Sequence, residues 1–255
     1  LVSGSFFFDQ VGTTTRVAAT NVTAAVDVNG SGGSLIDGEG AIIITDAGIA
    51  GSLSGTLAAS VPGLDAGGNL ILRFNNTGSA IDEEIEIGSH RLRVFFSDAE
   101  TQFFGVALIG AVINIADIVT IEGNVSFSDS NGRQVAAGTE LTLFIGEGPA
   151  KLDNGDINPF ARGLLINDAT VGLVKVDGPG GTQYALEANG TVQVIGIADL
   201  TLTGTIRVRV NTFTEEVSET IGIPGTEQSV TVNFDSTQVA GVGGAYSLVE
   251  ALNVV

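Results

Sequence analysis

One alternating segment of this chain occurs twice, and this duplication constrains the fold more than any other feature. Residues 66–88 read AGGNLILRFNNTGSAIDEEIEIG, and residues 200–223 read LTLTGTIRVRVNTFTEEVSETIGI. Alternation of apolar and polar side chains is typical of a β-strand with one buried face. The copies align at Arg73 with Arg209, Asn75 with Asn211, Ile81 with Val217, Glu83 with Glu219, and Ile85 with Ile221. The duplication predicts a recurring hairpin with the arginine on one arm and the glutamate on the other, where the two charges can interact.

The duplication extends over the whole chain. The opening LVSGSFFFDQ parallels TIEGNVSFSD at the start of the second unit, which places Gly4 on Gly123. We therefore expect one β repeat at residues 1–119 and a second at residues 120–255. The greater length of the second is ascribed to an inserted hairpin near residues 174–188, VKVDGPGGTQYALEA, with a Gly/Pro turn.

The two ends of the chain are expected to be in phase. The final LNVV parallels ADIV at the end of the first unit, so that Leu252 falls on Ala116 and Val255 on Val119. Leu1 is not an initiator methionine and no basic leader segment follows it, which suggests a mature or excised piece. The phase match predicts one window of a longer array, or copies that join head to tail.

Strand signals dominate both units. Alternating or β-branched runs are separated by turns such as NGSGG, SDSNGR and GPGG, as in all-β domains. No segment of helical length has an apolar period near 3.6. The predicted fold is all-β, with two tandem, mainly antiparallel repeats of meander or sandwich type stacked into an elongated rod. A parallel β-solenoid is the alternative, because NVTAAV and DATVGLV resemble solenoid rungs.

The charge balance limits the partners. The net charge is −19, with 10 basic and 29 acidic residues, so the basic surface that nucleic acid or an anionic membrane requires is missing. The apolar run 103–119 is broken by Asn114 and Asp117, and no membrane span is predicted. Without cysteine, neither disulfides nor thiolate sites are available. This composition is compatible with an extracellular or cell-surface protein whose acidic surfaces repel one another or are bridged by cations.

Residues suited to catalysis do not form a recognisable constellation. His90 is the single histidine, stands at the entry to a strand, and is expected to be an exposed or hydrogen-bonding turn residue. Asp82, Glu83 and Glu84 form the densest carboxylate cluster. Because successive strand residues face opposite ways, Glu83 should lie away from the other two, which disfavours a glycosidase pair. The chain is not expected to be an enzyme.

Calcium is the cofactor that the sequence best supports. The run LDNGDIN offers Asp153, Asn154, Asp156 and Asn158 as oxygen ligands, in a pattern that resembles the first part of a calcium loop. The run lacks the terminal glutamate and the flanking helices of an EF-hand. An ordinary polar turn is therefore the preferred interpretation, and a calcium site is the alternative.

Two runs of consecutive aromatic residues raise the question of a binding function. Phe6, Phe7 and Phe8 follow one another, as do Phe103 and Phe104, and neighbours in a strand cannot all face one core. We favour strands that are buried on both faces. The alternative is that an exposed phenylalanine recognises a partner.

Several segments give the chain a resemblance to a known class of proteins: GSFxF, VPGL…GNLILRFNNTGSAIDEEI, IRVRVNT…VSETI and FFGVAL…ADIVTIEGNVSF. They resemble the tandem β-rich repeats of very large bacterial cell-surface or extracellular proteins of the adhesin or filament type. The resemblance covers essentially the whole chain and brings no catalytic or binding residues with it. It implies a structural protein, a repeat segment of an extracellular filament, sheath or giant adhesin stalk that joins end to end with copies of itself or adjacent repeats. The alternative is an extracellular β module that binds a lipid or a surface glycan.

Overall fold

The computed structural model describes residues 1–28, 31–152, 154, 156–198 and 200–254. The strands in these residues are β1 (Val2–Val11), β2 (Thr14–Val28), β3 (Ser31–Thr45), β4 (Gly48–Val61), β5 (Leu64–Asn75), β6 (Ile81–Ile87), β7 (His90–Phe96), β8 (Phe103–Ile115), β9 (Val119–Ser130), β10 (Arg133–Glu147), β11 (Arg162–Gly178), β12 (Gly181–Ile195), β13 (Thr203–Asn211), β14 (Val217–Gly222), β15 (Ser229–Phe234) and β16 (Tyr246–Leu252). One short 3-10 turn, Asp98–Glu100, precedes β8.

Twelve of these strands form one open sheet. Its strand order is β1-β2-β3-β4-β5-β8-β9-β10-β11-β12-β13-β16, and the remaining strands form two separate hairpins, β6–β7 and β14–β15. All strand pairs among the described residues are antiparallel. Short turns connect most successive strands, and such turns can join only antiparallel neighbours. The prediction of an all-β antiparallel meander is confirmed, and the parallel solenoid alternative is wrong.

The two halves of the sheet have the same construction. The first half (β1–β8) and the second half (β9–β16) each contribute six sheet strands, with a hairpin inserted between the fifth and the sixth. The register defines equivalent residues in the two halves. Asn75 lies opposite Ala50 and Phe103, just as Asn211 lies opposite Ala185 and Tyr246.

The extra length of the second half lies mainly between β10 and β11. This connection spans residues 148–161, whereas only residues 29–30 separate β2 from β3. Residues 174–188 belong to the β11–β12 hairpin, whose counterpart in the first half is the β3–β4 hairpin. The long connection packs onto the sheet in a small buried cluster that consists of Phe144, Ala150, Ala161, Leu165 and Ile195.

Each hairpin folds back over one face of its own half. The β6–β7 hairpin lies on β2–β4, and the β14–β15 hairpin lies on β10–β12. We call this side of the sheet the covered face and the other side the open face. Small sheet residues beneath larger hairpin residues let the two layers approach closely. The buried residues are Ala18, Ala41, Ile43, Ala50, Ile85, Val94 and Phe96 in the first half, and Ala137, Val174, Ala185, Phe213, Val217, Ile221, Ile223, Val230, Val232 and Phe234 in the second.

One arginine in each half fixes the hairpin to the sheet. The guanidinium of Arg209 on β13 lies 4.5 Å from the centroid of the Phe234 ring and donates to the carbonyl of the preceding residue. Arg73 on β5 lies 4.7 Å from the centroid of the Phe96 ring and donates, at 2.8 Å, to the carbonyl before that residue. The duplicated arginines therefore have the same structural task in both halves.

The predicted hairpin that pairs these arginines with glutamates is wrong. β5 pairs with β4 and β8 rather than with β6, so Arg73 and Glu83 do not lie on paired strands. Glu83 instead pairs with Arg16 on β2 at 3.5 Å, and Glu219 pairs with Arg133 on β10 at 2.7 Å. In both halves the glutamate ties the first hairpin strand to the second sheet strand.

The duplicated asparagines satisfy backbone groups where the chain leaves the sheet. Both are buried, with exposed fractions of 1% for Asn75 and 0% for Asn211. Asn211 accepts from the backbone N–H of Phe213 at 2.9 Å and donates to the carbonyl of Gln238 at 2.9 Å. Asn75 makes the same two kinds of bond, and its amide donates to the carbonyl of Glu100 at 2.9 Å.

A row of β-bulges crosses most of the sheet. The pairing register shifts in each pair of neighbours from β1 to β12 except β4–β5. Gly123 has a φ of +130° at one such place, where a Cβ would lie 2.8 Å from the carbonyl oxygen of Glu140. Bulges bend a strand and increase its twist. The bulges therefore bend neighbouring strands at corresponding places in the sheet.

Candidate assembly surface

The outer edges of the sheet are the first candidate for a functional surface. β1 and β16 are the terminal strands, and neither has a partner on its outer side among the described residues. Such an edge presents unpaired N–H and C=O groups that can pair with another strand. Proteins commonly protect edges with lysine or proline. Neither residue type occurs in β1 or β16.

Both edge strands expose large apolar side chains. Phe8 on β1 is 70% exposed, and Val249 on β16 is 76% exposed. Phe7 packs against the buried cluster on the covered face, so its neighbour Phe8 lies on the open face. Leu248 lies opposite Arg209, whose side chain reaches the hairpin on the covered face, so Val249 also lies on the open face. Apolar contact is thus available on the same face at both ends of the sheet.

The aromatic runs divide between the two faces. Phe7 and Phe103 pack against the buried cluster of the first half. Phe6 and Phe104, in contrast, are 51% and 46% exposed. The prediction that these strands are buried on both faces is therefore wrong, since the open face carries no hairpin at these positions.

The junction between β8 and β9 shows how one half joins the next. β8 is the last sheet strand of the first half and pairs with β9, the first strand of the second half. In this pairing Val106 lies opposite Phe127 and Gly105 lies opposite Ser128. Phe127 is the equivalent of Phe8 and is 37% rather than 70% exposed. A neighbouring strand therefore covers part of this phenylalanine.

The register corrects the expected phase of the chain end. The pairing of β16 with β13 gives Leu252 the place that Ile109 has in β8. The predicted correspondence of Leu252 with Ala116 is therefore wrong. Val255 lies outside the described residues.

An apolar pit of about 260 Å³ lies on the open face of the second half. Aliphatic side chains of β9 to β13 line it, among them Ile121, Leu143, Ile166 and Val208. Val208 precedes the arginine that reaches the hairpin, so its side chain is on the opposite side of the sheet. The pit provides a second apolar feature of the open face.

The predicted calcium ligands lie in the long β10–β11 connection. Asp153 is outside the described residues. Asn154 and Asp156 bond to each other, with the Asn154 amide donating to the carboxylate at 2.7 Å. Asn158 is buried apart from them, where its Oδ1 accepts from the backbone N–H of Phe160 at 3.0 Å. Calcium binding stays a prediction: in the part of the chain that the structure describes, no three His, Asp or Glu side chains gather as metal ligands.

The carboxylates of β6 take part in ion pairs. Asp82 accepts two hydrogen bonds from Arg93, at 2.7 and 2.9 Å, and Glu84 pairs with Arg91 at 3.1 Å. Glu83 lies on the opposite side, where it pairs with a sheet residue, so the predicted separation of the cluster is confirmed. His90 is exposed at the start of β7, also as predicted.

The guanidinium of Arg93 lowers the pKa of Asp82 below its ordinary value through their hydrogen bonds. The stabilisation from this pair is present above the pKa of the unfolded chain and is lost as the pH falls through the lower folded value. We expect Arg93→Gln to raise the pKa of Asp82, as measured by NMR titration of the side-chain carboxyl carbon. Arg91→Gln is the matched control and should leave that pKa unchanged, since Arg91 pairs with Glu84 and Glu86. An equal shift in both variants would contradict the assignment.

Comparison of the chain with known protein families, with curated proteins and with solved structures gives no match. No helix within the described residues is long and apolar enough to span a membrane.

Proposed function

We propose that the chain is a structural protein, a repeat segment of an extracellular filament, sheath or surface stalk whose units join end to end. The β8–β9 pairing carries this proposal, because two units of the same construction already continue one sheet there. Repeating units stabilise one another by burying the surfaces that each leaves open. Further copies of the chain or adjacent repeats are the partners.

The acidic surface suits such a structure. A net charge of −19 keeps neighbouring filaments apart, and divalent cations can bridge them. Calcium at the 152–158 connection would act in this way. The absence of cysteine leaves the stability of each unit to its two packed layers and its continuous ladder of backbone hydrogen bonds.

A second function is favoured by the open face. Phe104 is 46% exposed there, and the apolar pit lies on the same face. Together they offer an extracellular module a surface for a lipid or a glycan. Specific binding to a glycan or a lipid vesicle that Phe104→Ser abolishes would favour this function over a purely structural one.

Assembly is measurable with the isolated chain. In sedimentation velocity runs, we expect multimers that increase with protein concentration, and we expect added calcium to increase them further if cations bridge acidic faces. The same runs with a chelator separate end-to-end growth from cation bridging. A compact monomer at every concentration, with and without calcium, would contradict the proposal.

A further inference from the structure

We infer that the outer edge of β16 pairs with the outer edge of β1 in a second copy of this chain, in the register in which β8 pairs with β9. This inference rests on the proposed function and specifies which residues meet. The partner strand is antiparallel, as are the pairs on both sides of it in the sheet.

The register follows from residues that the two halves share. β16 takes the place of β8, because Tyr246 lies opposite Asn211 just as Phe103 lies opposite Asn75. The same reasoning equates the first strand of each half. Phe8 and Phe127 lie opposite Val17 and Ala136, the residues that precede the buried alanines Ala18 and Ala137.

Transfer of the β8–β9 register gives two facing pairs. Val249 takes the place of Val106 and Phe8 takes the place of Phe127, so Val249 lies opposite Phe8 on the open face. On the covered face, Leu248 takes the place of Gly105 and Asp9 that of Ser128, so Leu248 lies opposite Asp9. The most exposed large apolar side chains of the two edge strands therefore meet directly.

The charges of the edge strands are compatible with this pairing. Asp9 lies opposite Arg16 in the neighbouring strand, and Glu250 lies opposite Arg207, so each carboxylate has a basic neighbour within its own copy. The inferred register places Glu250 opposite Phe7. Like charges directly opposite each other destabilise a strand pair, and this register instead places Asp9 and Glu250 diagonally to each other.

The backbone of both edges is also free to pair. Neither strand contains proline, which would remove a hydrogen-bond donor. In the inferred register Tyr246 to Ala251 lie opposite Val11 to Phe6, whereas Leu252 takes the place of Ile109, which lies in the β8–β9 bulge. Pairing would satisfy the edge groups in the way that β8 and β9 satisfy each other.

Cross-linking between cysteines tests the register, and the natural chain contains no cysteine to interfere. A chain with both Phe8→Cys and Val249→Cys should form a ladder of covalent multimers on a non-reducing gel after mild oxidation. The matched control carries Phe8→Cys with Ala251→Cys, which lies on the same exposed edge and face but two residues along. Directly opposite Cβ atoms are about 5 Å apart and diagonal Cβ atoms somewhat less than about 7–8 Å, while a disulfide needs about 4 Å. We expect the ladder in the first variant and its loss in the second.

The possible results separate the inference from the proposed function. A ladder that is equal or stronger in the shifted variant would overturn the inferred register. Multimers in sedimentation without a ladder in either variant would overturn the inference and leave end-to-end assembly by another surface. A monomer in both measurements would overturn the inference together with the proposed function.

A second pair of variants keeps the test independent of disulfide formation. Val249→Lys places a charge on the exposed edge and should abolish multimers in sedimentation, while the urea midpoint of unfolding, measured at a concentration at which the unsubstituted chain is monomeric, is unchanged. Val242→Lys is the control, because Val242 is fully exposed in the turn before β16 and lies outside the edge strand. Persistent multimers in Val249→Lys would overturn the inference.

Discussion

Replacing Phe234 by alanine is expected to lower the free energy of unfolding by about 3–5 kcal/mol, the range for a large aromatic residue removed from a core. The ring is fully buried between the β14–β15 hairpin and the sheet. It also packs edge-on against Tyr246 at 6.0 Å and lies beneath the guanidinium of Arg209. Its removal leaves a cavity and an arginine without its aromatic partner, so the hairpin loses one of its attachments to the sheet.

Urea denaturation followed by circular dichroism measures this effect. Phe160→Ala is the control, because Phe160 is 86% exposed in the β10–β11 connection and should change stability by no more than about 0.5 kcal/mol. Similar losses in the two variants would show that the hairpin does not pack on the sheet as described.

Replacing Asn211 by alanine is expected to lower the free energy of unfolding by about 1.5–4.5 kcal/mol. The side chain satisfies the buried N–H of Phe213, which costs about 1–3 kcal/mol when left without a partner, and the partly buried carbonyl of Gln238, whose hydrogen bond contributes about 0.5–1.5 kcal/mol. The chain leaves the sheet at this point to form the hairpin, so no strand neighbour can replace these bonds.

Asn189→Ala is the matched control for this prediction. Asn189 lies on the adjoining strand β12, is exposed, and donates a single hydrogen bond to the Thr170 hydroxyl at 2.8 Å. We expect its loss to cost about 0.5 kcal/mol or less, as is usual for surface substitutions. An Asn211→Ala variant as stable as the control would contradict the role of the buried amide.

Sequence alternation predicted the strands well and their partners less well. The run from β5 to β6 alternates almost without interruption, and it therefore suggested one hairpin with facing charges. Alternation shows that a strand has a buried face but does not show which sheet supplies the opposite layer. The buried Asn75 redirects the chain between these strands, and its three bonds to backbone groups, of Thr77, Ser79 and Glu100, are not visible in the pattern.

The chain end illustrates a related limit. The similarity of the segments LNVV and ADIV aligns Leu252 with Ala116, whereas the strand register aligns it with Ile109. A small turn with a bridge between Gly241 and Gly244 lengthens the connection before β16 and shifts the alignment. Backbone pairing, which decides the register, carries little residue-specific information in a chain so rich in glycine and threonine.

The candidate surface could be found from the sequence only in part. The consecutive phenylalanines of β1 are visible in the sequence, and strand geometry implies that neighbours such as Phe7 and Phe8 face opposite sides of the sheet. Nothing in the sequence marked Val249, because its exposure depends on β16 being the last strand of the sheet. The calcium prediction rested on residue type, and the structure brings only Asn154 and Asp156 of the described ligands into contact.

The central claim is that copies of this chain continue one sheet, and electron microscopy of the concentrated protein in negative stain tests it most directly. Strands about 4.8 Å apart give an advance of about 58 Å for each copy of the 12-stranded sheet, before any reduction by twist. The account predicts elongated particles that lengthen with concentration and show an axial repeat near this value, or near half of it because the two halves are alike. Separate particles of one size at every concentration would contradict the claim.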